Sequence, residues 1–445
     1  MNTNDIEALI QAKDYLKASE VLAKMNEADV TEVLRDYDSY MTLLLFRMLP
    51  KKMAAEVFSR FEPEQQLQIV EAATHEELKD IMDELFFDDM VDMIEEMPAN
   101  VVKRILSIAG QEERDLINQF LQYPEDSAGS LMTIEYVDLK KAMTVKEALA
   151  RIKKTGMTKE TIYTCYVTDS ERRLEGIVSL RTLVTSEEDL IIGDIMEPDI
   201  VRVTTHDDQE VVAHSFKKYG YLALPVIDNE NRLTGIITVD DIIDIMEQEA
   251  TEDFQKMAAM SPSEEAYLSS SIMAMARQRL PWLLILMISA TFTGRIMGRF
   301  EDILTQAVVL SAFIPMLMDT GGNSGSQSST LVIRGLAIGS IDTGDWWKVI
   351  WKEMSVSFLV GIALAATNFV RLLLLEKIDS MIALTVSITI VVTVMVSKIV
   401  GGLLPLIAKK MKVDPAVMAG PLITTIVDAL ALMVYFAVAT ALLGL

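Results

Sequence analysis

Residues 414–445 read DPAVMAGPLITTIVDALALMVYFAVATALLGL, an apolar stretch in which Asp428 is the one charge after Asp414. A helix needs about 20 residues, at ~1.5 Å rise per residue, to cross the hydrocarbon core of a bilayer, so this stretch is long enough to span. A carboxylate near the middle of such a helix costs about 2.5–3.5 kcal/mol on insertion scales, and it persists when it pairs with a buried cation or lines a watery path. Lys398, on the preceding apolar stretch, is the partner to consider for pairing.

Residues just before Asp428 favour the watery path. Pro421 lacks a backbone donor and so frees a carbonyl, and Thr424 and Thr425 add hydroxyl oxygens. Such an oxygen-only set suits a hard cation. We therefore predict that Pro421, Thr424, Thr425 and Asp428 line a cation pore.

Another apolar stretch, Ile303–Gly339, carries polar residues at membrane depth. Pro315 and several glycines predict a broken helix here, although small residues also permit close helix packing. Packing does not explain Asp319, Asn323 and Gln327, which fall four residues apart and so share one helical face. Because polar groups at this depth must be buried in protein or face a cavity, we predict that this face lines a cavity, as a pore does.

Residues 271–445 as a whole predict an all-α transmembrane bundle of five helices. The five apolar stretches are Leu280–Gly298, Ile303–Gly339, Met354–Val370, Ser380–Ala408 and Asp414–Leu445. Basic residues cluster before the first stretch, at Arg277 and Arg279, and after the fourth, at residues 409–412. The positive-inside tendency then puts both clusters and the N-terminal region in the cytoplasm and the C-terminus outside the cell membrane.

The charge of the chain is unevenly distributed. Of its 40 Lys+Arg and 65 Asp+Glu, 13 and 10 lie after residue 270, which leaves 27 and 55 in residues 1–270, a net charge of −28 there. An acidic surface favours cations and disfavours nucleic acid and anionic lipid as partners. The N-terminus has no basic, apolar leader, so we expect no signal peptide. The single cysteine, Cys165, fits a reducing cytosol and a buried strand position.

Residues 1–130 predict a helical N-domain. Turn and cap signals recur about every dozen residues, with apolar positions at helical spacing between them, as expected of a small α-helical superhelix. They are Pro50, Pro63, Thr74, the pair Asp88–Asp89, and Pro98. Asp88 and Asp92 fall on one helical face in a stretch, residues 80–98, that has no Lys or Arg. The face is either a solvated acidic surface or a site where a divalent ion relieves the repulsion.

Residues 131–250 change to an α/β pattern that repeats after about 60 residues. Strand-like runs at Tyr163–Asp169 and Leu174–Leu180 return within Leu222–Asp244, and each copy follows a helix-like segment, Val145–Lys154 or Asp207–Gly220. This order resembles a tandem pair of CBS domains. That resemblance implies dimerisation and ligand sensing, often of adenine nucleotides. Asp240 and Asp241 then either contact a ribose or cap the helix that follows.

An acidic connecting helix is predicted in residues 242–270, between the soluble region and the membrane region of residues 271–445. Its acids are opposed by Lys256 alone. Helices of this charge repel an acidic neighbouring domain unless cations intervene.

Taken together, the chain resembles the MgtE family of magnesium channels and transporters along nearly its whole length. The most specific pieces are P-x-x-x-D-T-G-G-N-S-G-S-Q (Pro315–Gln327), the run Asp414–Asp428 and the run Thr238–Asp253. The resemblance implies a multidomain membrane protein that forms a homodimer, with the pore on the two-fold axis and Asp428 as its aspartate. It also implies cytosolic Mg²⁺-sensing acids, which fall on Asp88, Asp92, Asp241, Asp244, Glu249, Glu252 and Asp253.

The function expected from these features is passive Mg²⁺ uptake through a channel that cytosolic Mg²⁺ closes. The resemblance also implies ATP as a ligand of the CBS pair, although no motif identifies the residues that would bind it. We expect no enzymatic activity. Two alternatives stay open. One is a proton- or sodium-coupled exchanger of divalent cations, and the other is a membrane-anchored CBS signalling protein.

Overall fold

The computed structural model describes residues 3–263, 267–268, 270–300 and 308–444. The chain divides into two compact units, residues 1–246 and 247–445. Each unit has its own hydrophobic core.

The first unit begins with short α-helices, as the sequence predicts. Within the described residues these are α1 (Thr3–Gln11), α2 (Tyr15–Leu22), α3 (Glu27–Arg35), α4 (Ser39–Phe46), α5 (Lys51–Ser59), α6 (Pro63–Ala72), α7 (His75–Met82), α8 (Phe87–Glu95), α9 (Ala99–Ile108) and α10 (Gln111–Phe120). Their buried apolar faces share one core, which extends into the second sheet described below. The helical array is thereby confirmed.

The predicted turn signals act at the helix starts. Pro50 and Pro98 are the N-cap residues of α5 and α9, and Pro63 is the first residue of α6. Proline is tolerated there because the first N–H groups of a helix have no intrahelical acceptor. Thr74 caps α7 in a capping box with Glu77, which satisfies two of those donors.

Two three-stranded sheets follow. The first contains β1 (Val137–Leu139), β2 (Thr164–Thr168) and β3 (Leu174–Ser179), and the second contains β4 (Val203–Thr204), β5 (Ala223–Ile227) and β6 (Leu233–Thr238). The helices between them are α11 (Val145–Thr155), α12 (Leu180–Thr185), α13 (Ile192–Ile195) and α14 (Gln209–Tyr219). In both sheets the middle strand is parallel to the first and antiparallel to the third.

The pairing register confirms the duplication. Val167 pairs with Gly176 in the first sheet and Val226 with Gly235 in the second, and the register shifts at the next residue of the middle strand in each. The same irregularity at equivalent positions is expected of two copies of one unit. Cys165 is fully buried in β2, as predicted.

Helix α15 (Val239–Met257) continues directly from β6 and contains most of the acids of the predicted connecting helix. The second unit then holds α16 (Ile272–Arg299), α17 (Ile314–Ala337), α18 (Trp346–Leu374), α19 (Ser380–Lys410) and α20 (Gly420–Leu443). Short 3₁₀ turns at Val308–Phe313 and Pro415–Met418 precede α17 and α20.

Within the described ranges, four segments are long and apolar enough to cross a membrane by length and composition. They are Ile272–Arg299, Thr343–Leu374, Ser380–Lys410 and Pro415–Leu443. Helix α17 does not meet this criterion, since it carries the polar run around Asn323. The fifth span therefore stays a prediction, and residues 303–307 of the predicted second stretch lie outside the described residues.

The predicted break in that stretch is wrong at the glycines, whereas beside Pro315 the chain does change from a 3₁₀ turn, Val308–Phe313, to α17. Helix α17 runs without interruption through Gly321, Gly322 and Gly325, and Pro315 lies in its first turn. Neighbouring helices compensate for the weak helix propensity of glycine by packing against it. A Cβ on Gly322 would lie 3.0 Å from Thr424 of α20.

The closest backbone approach joins α17 to α19. A Cβ on Gly401 would clash with the carbonyl oxygen of Gly325, which cannot rotate away as a side chain could. We expect Gly401→Ala to lower the unfolding midpoint in detergent by roughly 2–12 °C, since overpacking costs about 1–3 kcal/mol. Gly294→Ala, in α16 with nothing within 4 Å, is the matched control and should not destabilise. Equal midpoints for the two variants would contradict the packing.

Candidate ion path and acidic cluster

The start of α20 places its oxygens differently from the sequence prediction. Pro421 lies in the first turn, where its missing N–H leaves no gap in the helix. Its carbonyl accepts hydrogen bonds from the hydroxyls of Thr424 and Thr425, both at 2.9 Å. Because each hydroxyl proton is committed to that carbonyl, the threonine oxygens keep lone pairs for a cation or its water.

Asp428 lies one turn further along α20 and is half-buried. Among the described residues no cation lies within 4.0 Å of its carboxylate, and Asp319 of α17 is near enough to repel it. Lys398, the alternative partner, instead contacts Gln327 and Ser328. The pairing of Asp428 with Lys398 is therefore wrong in this structure.

Helix α17 has two chemically distinct faces. Asp319, Asn323 and Gln327 are exposed along one side, whereas Gly321 and Gly325 are buried against α19 and α20. The packing interpretation therefore applies to the glycine face, whereas the pore interpretation of the polar face stays a prediction. The glycines allow close packing, and the polar side chains form an exposed stripe beside Asp428.

A second group of acids gathers in the first unit. Asp88 and Asp89 lie in the first turn of α8, Asp241 in the first turn of α15, and Glu160 in the loop before β2. Burial and then the charges of Asp89 and Asp241 raise the pKa of Asp88 well above its usual value. Burial and then Asp241 raise the pKa of Asp89 to about 7 and that of Glu160 to about 8. The cluster therefore resists being fully ionised.

Asp92 and Asp241 belong to the same cluster. Although much of the Asp92 side chain reaches solvent, the surrounding protein and then the charges of Asp89 and Glu95 raise its pKa to about 7. Burial raises the pKa of Asp241 to about 6, against the hydrogen bond that its carboxylate accepts from the Thr238 hydroxyl at 2.7 Å. That bond holds the Asp241 side chain at the start of α15, whereas Asp240 is exposed.

The acids of the connecting helix lie further along α15. Asp244 is exposed, whereas Glu249, Glu252 and Asp253 are partly buried. The opposing Lys256 forms ion pairs with Glu252 and, at 2.6 Å, with Asp414, the residue that leads into α20. Burial lowers the pKa of Lys256, but its hydrogen bonds to Asp414 and Glu252 outweigh that effect and raise it.

In the described part of the chain, no three acidic, histidine or cysteine groups are already arranged to hold one metal ion. The donor chemistry nevertheless fits a hard cation, since every charged group of the cluster is a carboxylate and one oxygen of Glu160 is buried without a partner. An ion binding there has to draw the carboxylates together. The sequence missed Glu160, because nothing near it in the chain signals that it meets α8.

These raised pKa values predict a pH dependence in the absence of Mg²⁺. Between about pH 4 and 8 the folded unit binds more protons than the unfolded chain, so its stability should rise as the pH falls from 8 to 5. Calorimetry of the metal-free chain should show an unfolding midpoint that rises accordingly. Mg²⁺ should flatten the dependence, because it replaces protons at the same carboxylates. A metal-free midpoint that increases from pH 5 to 8 would contradict this.

Three families match the sequence in the order of its predicted parts. The MgtE intracellular N domain matches residues 25–126, CBS domains match 128–188 and 192–248, and the divalent cation transporter family MgtE matches 314–438. A protein of Thermus thermophilus named magnesium transporter MgtE is 35% identical over an alignment that covers 98% of either chain. The chain belongs to the MgtE family.

Other relatives agree. The magnesium transporter MgtE of Bacillus subtilis is 32% identical over 93% of this chain and 94% of its own length. The cytosolic domain of the Mg²⁺ channel MgtE, crystallised in complex with ATP, matches with a TM-score of 0.53 at 34% identity and covers 55% of this chain and 100% of that domain. The soluble part of a magnesium transporter matches with a TM-score of 0.52 at 30% identity and covers 56% and 98%. This MgtE-family chain therefore has the helical N-domain and CBS pair that its sequence predicted.

Proposed function

We propose that this chain is a Mg²⁺-selective channel that carries Mg²⁺ passively into the cell and is closed by cytosolic Mg²⁺. The observation that carries the proposal is the exposed stripe of Asp319, Asn323 and Gln327 on α17, beside Asp428, in a unit otherwise built of apolar helices. The names of the MgtE relatives support Mg²⁺ as the transported ion.

The exposed stripe also supports a homodimer. Polar side chains at membrane depth are costly against lipid and are kept where they face protein or a water-filled cavity. A second copy related by a two-fold axis would close the stripe into a path with two copies of Asp428. The ion path would then lie on that axis.

The ligand set suits hydrated Mg²⁺. This ion dehydrates reluctantly and keeps several waters in an octahedral shell, so a wide site with few carboxylates fits it. Asp428, with the hydroxyl oxygens of Thr424 and Thr425, supplies such a site. The histidines of the chain, at positions 75, 206 and 214, all precede the membrane region, which disfavours zinc or copper as the cargo.

The membrane potential supplies the driving force for entry. An inside-negative potential of 100 mV favours the entry of a divalent ion by about 4.6 kcal/mol. The basic clusters at Arg277 and Arg279 and at Lys409, Lys410 and Lys412 support an orientation with the first unit in the cytoplasm and the C-terminus outside.

Gating is proposed to act through the acidic clusters. Mg²⁺ would neutralise Asp88, Asp92 and Asp241 and stabilise their close approach, which is unfavourable without cations. Further regulatory ligands are proposed in α15, namely Asp244, Glu249, Glu252 and Asp253. The ion pair of Lys256 with Asp414 connects the end of α15 to the start of α20, so a change in α15 can reach the helix that carries Asp428.

An adenine nucleotide, such as ATP, is proposed as a ligand of the CBS pair. The related cytosolic domain crystallised with ATP supports this. Asp240 follows β6 with an exposed carboxylate, a position from which it could accept a hydrogen bond from a ribose hydroxyl.

The decisive experiment is ion flux into liposomes that contain only the purified chain, with and without a pH or sodium gradient. A passive channel admits Mg²⁺ in both cases. Flux that requires the proton or sodium gradient would indicate the coupled exchanger, and no flux at all would indicate the membrane-anchored signalling protein.

A further inference from the structure

Lys398 of α19 is a buried cation that the proposed ion path does not use. Its side chain is 5% exposed, and it lies in a helix apolar enough to span the membrane. Its ammonium group contacts Gln327 Oε1 at 3.5 Å and Ser328 Oγ at 3.4 Å. In the described part of the chain no carboxylate lies within 4.0 Å of it.

A serine connects Lys398 to the nearby acid that balances its charge. The fully buried hydroxyl of Ser328 faces the ammonium of Lys398 and donates a hydrogen bond to Glu353 Oε2 at 2.6 Å. A hydroxyl can accept from one charged group and donate to another, so Ser328 links a cation to an anion. Lys398, Ser328 and Glu353 thus join α19, α17 and α18.

Backbone packing fixes the position of this group of residues. A Cβ on Gly402 would lie 3.3 Å from Cγ of Glu353, so the glycine leaves room for the acidic side chain. The preceding residue, Gly401, lets α19 approach the backbone of α17. The three helices are therefore closely packed at the level of Lys398 and Glu353.

The contact of Lys398 with Gln327 orients the Gln327 amide. An ammonium group has three donors and no acceptor, so the amide of Gln327 must turn its oxygen, not its nitrogen, towards Lys398. In the orientation proposed above, Gln327 is the cytoplasmic end of the polar stripe, eight residues or ~12 Å along α17 from Asp319. Its oxygen then faces a protein cation with one lone pair and can offer the other to the ion path.

We propose that Lys398, balanced by Glu353 through Ser328, is a positioning residue that holds Gln327 and fixes the cytoplasmic end of the polar stripe of α17. This inference rests on the proposed function for its effect on Mg²⁺ flux, but not for its effect on stability. Removing the charge of Glu353 leaves the buried Lys398 without compensation, which is strongly destabilising.

The test relocates the negative charge. Glu353→Gln should lower both the unfolding midpoint and the Mg²⁺ flux, the latter at least tenfold. The double variant Gln327→Glu with Glu353→Gln places a carboxylate where the amide oxygen now contacts Lys398. It should restore the midpoint, which requires no transport. As a matched control, Asn323→Asp with Glu353→Gln adds the same charge one turn away and should not restore the midpoint.

A relocated charge at position 327 that does not restore the midpoint, or a control that restores it equally well, would overturn the proposal. A parent chain that carries no Mg²⁺ in liposomes would overturn the proposed function instead. The unfolding midpoints would then still decide on the positioning role, because they require no transport.

Discussion

Replacing Asp428 by alanine should abolish Mg²⁺ flux or remove its preference for divalent ions while leaving the protein folded. The variant removes the carboxylate that lies beside Thr424 and Thr425, and Asp428 has no ion pair among the described residues that the substitution could break. In a homodimer the path would lose two negative charges at one level. We expect at least a tenfold fall in Mg²⁺ flux into liposomes, equivalent to about 1.4 kcal/mol or more.

Asp428→Asn tests the role of the charge alone, because asparagine has nearly the same shape as aspartate. It keeps the size of the side chain, so it should lose divalent preference with little change in the unfolding midpoint. Glu376→Gln is the control, because Glu376 lies after α18 and pairs with Arg371 at 3.3 Å, where a surface ion pair contributes little. Mg²⁺ flux and selectivity in Asp428→Asn equal to those of the parent would remove Asp428 from the ion path.

Neutralising the acidic cluster should make the channel insensitive to cytosolic Mg²⁺. In Asp88→Asn with Asp92→Asn, the compact state loses both the repulsion and the ligands that Mg²⁺ would bridge. A ligand that binds one of two states shifts the equilibrium only by its differential affinity, so loss of these ligands removes the shift. We expect the variant to stay open at Mg²⁺ concentrations that close the parent. Neutralising Glu249, Glu252 and Asp253 together should have the same effect.

Limited proteolysis of the cytosolic region across a Mg²⁺ titration, paired with channel recording, measures this. The charge-matched control is Asp29→Asn with Glu32→Gln, two exposed acids on α3. It should close and gain protection as the parent does. If the cluster variants gain protection and close at the parent's Mg²⁺ concentration, the acids are only a solvated surface.

The fold was predictable where its signals are local. Proline and Thr74 mark helix starts in the N-domain, and the repeat of about 60 residues predicts two equivalent sheets because strand and turn chemistry recur within each copy. The continuity of α17 was not predictable from its glycines alone. Their low helix propensity is outweighed by α19 and α20, and that packing depends on residues such as Gly401 far along the chain.

The candidate site was likewise predictable only where its signals are local in the sequence. The stripe of Asp319, Asn323 and Gln327 follows from helical spacing and is exposed on one face of α17. The contact partners do not follow from spacing. Glu160 meets α8 across many residues of sequence. Lys398 contacts Ser328 and Gln327 because α17 packs against α19, about 70 residues further along the chain.

The central claim is best tested by recording Mg²⁺ current through the purified chain while the Mg²⁺ concentration on the cytosolic side is varied. For a passive divalent channel, we predict a reversal potential that shifts by about 30 mV per tenfold change in the Mg²⁺ ratio and does not respond to pH. We also predict that rising cytosolic Mg²⁺ lowers the current by more than the smaller driving force explains, because the channel closes. A reversal potential that follows the proton gradient, or a current that cytosolic Mg²⁺ leaves open, would contradict a Mg²⁺-gated Mg²⁺ channel.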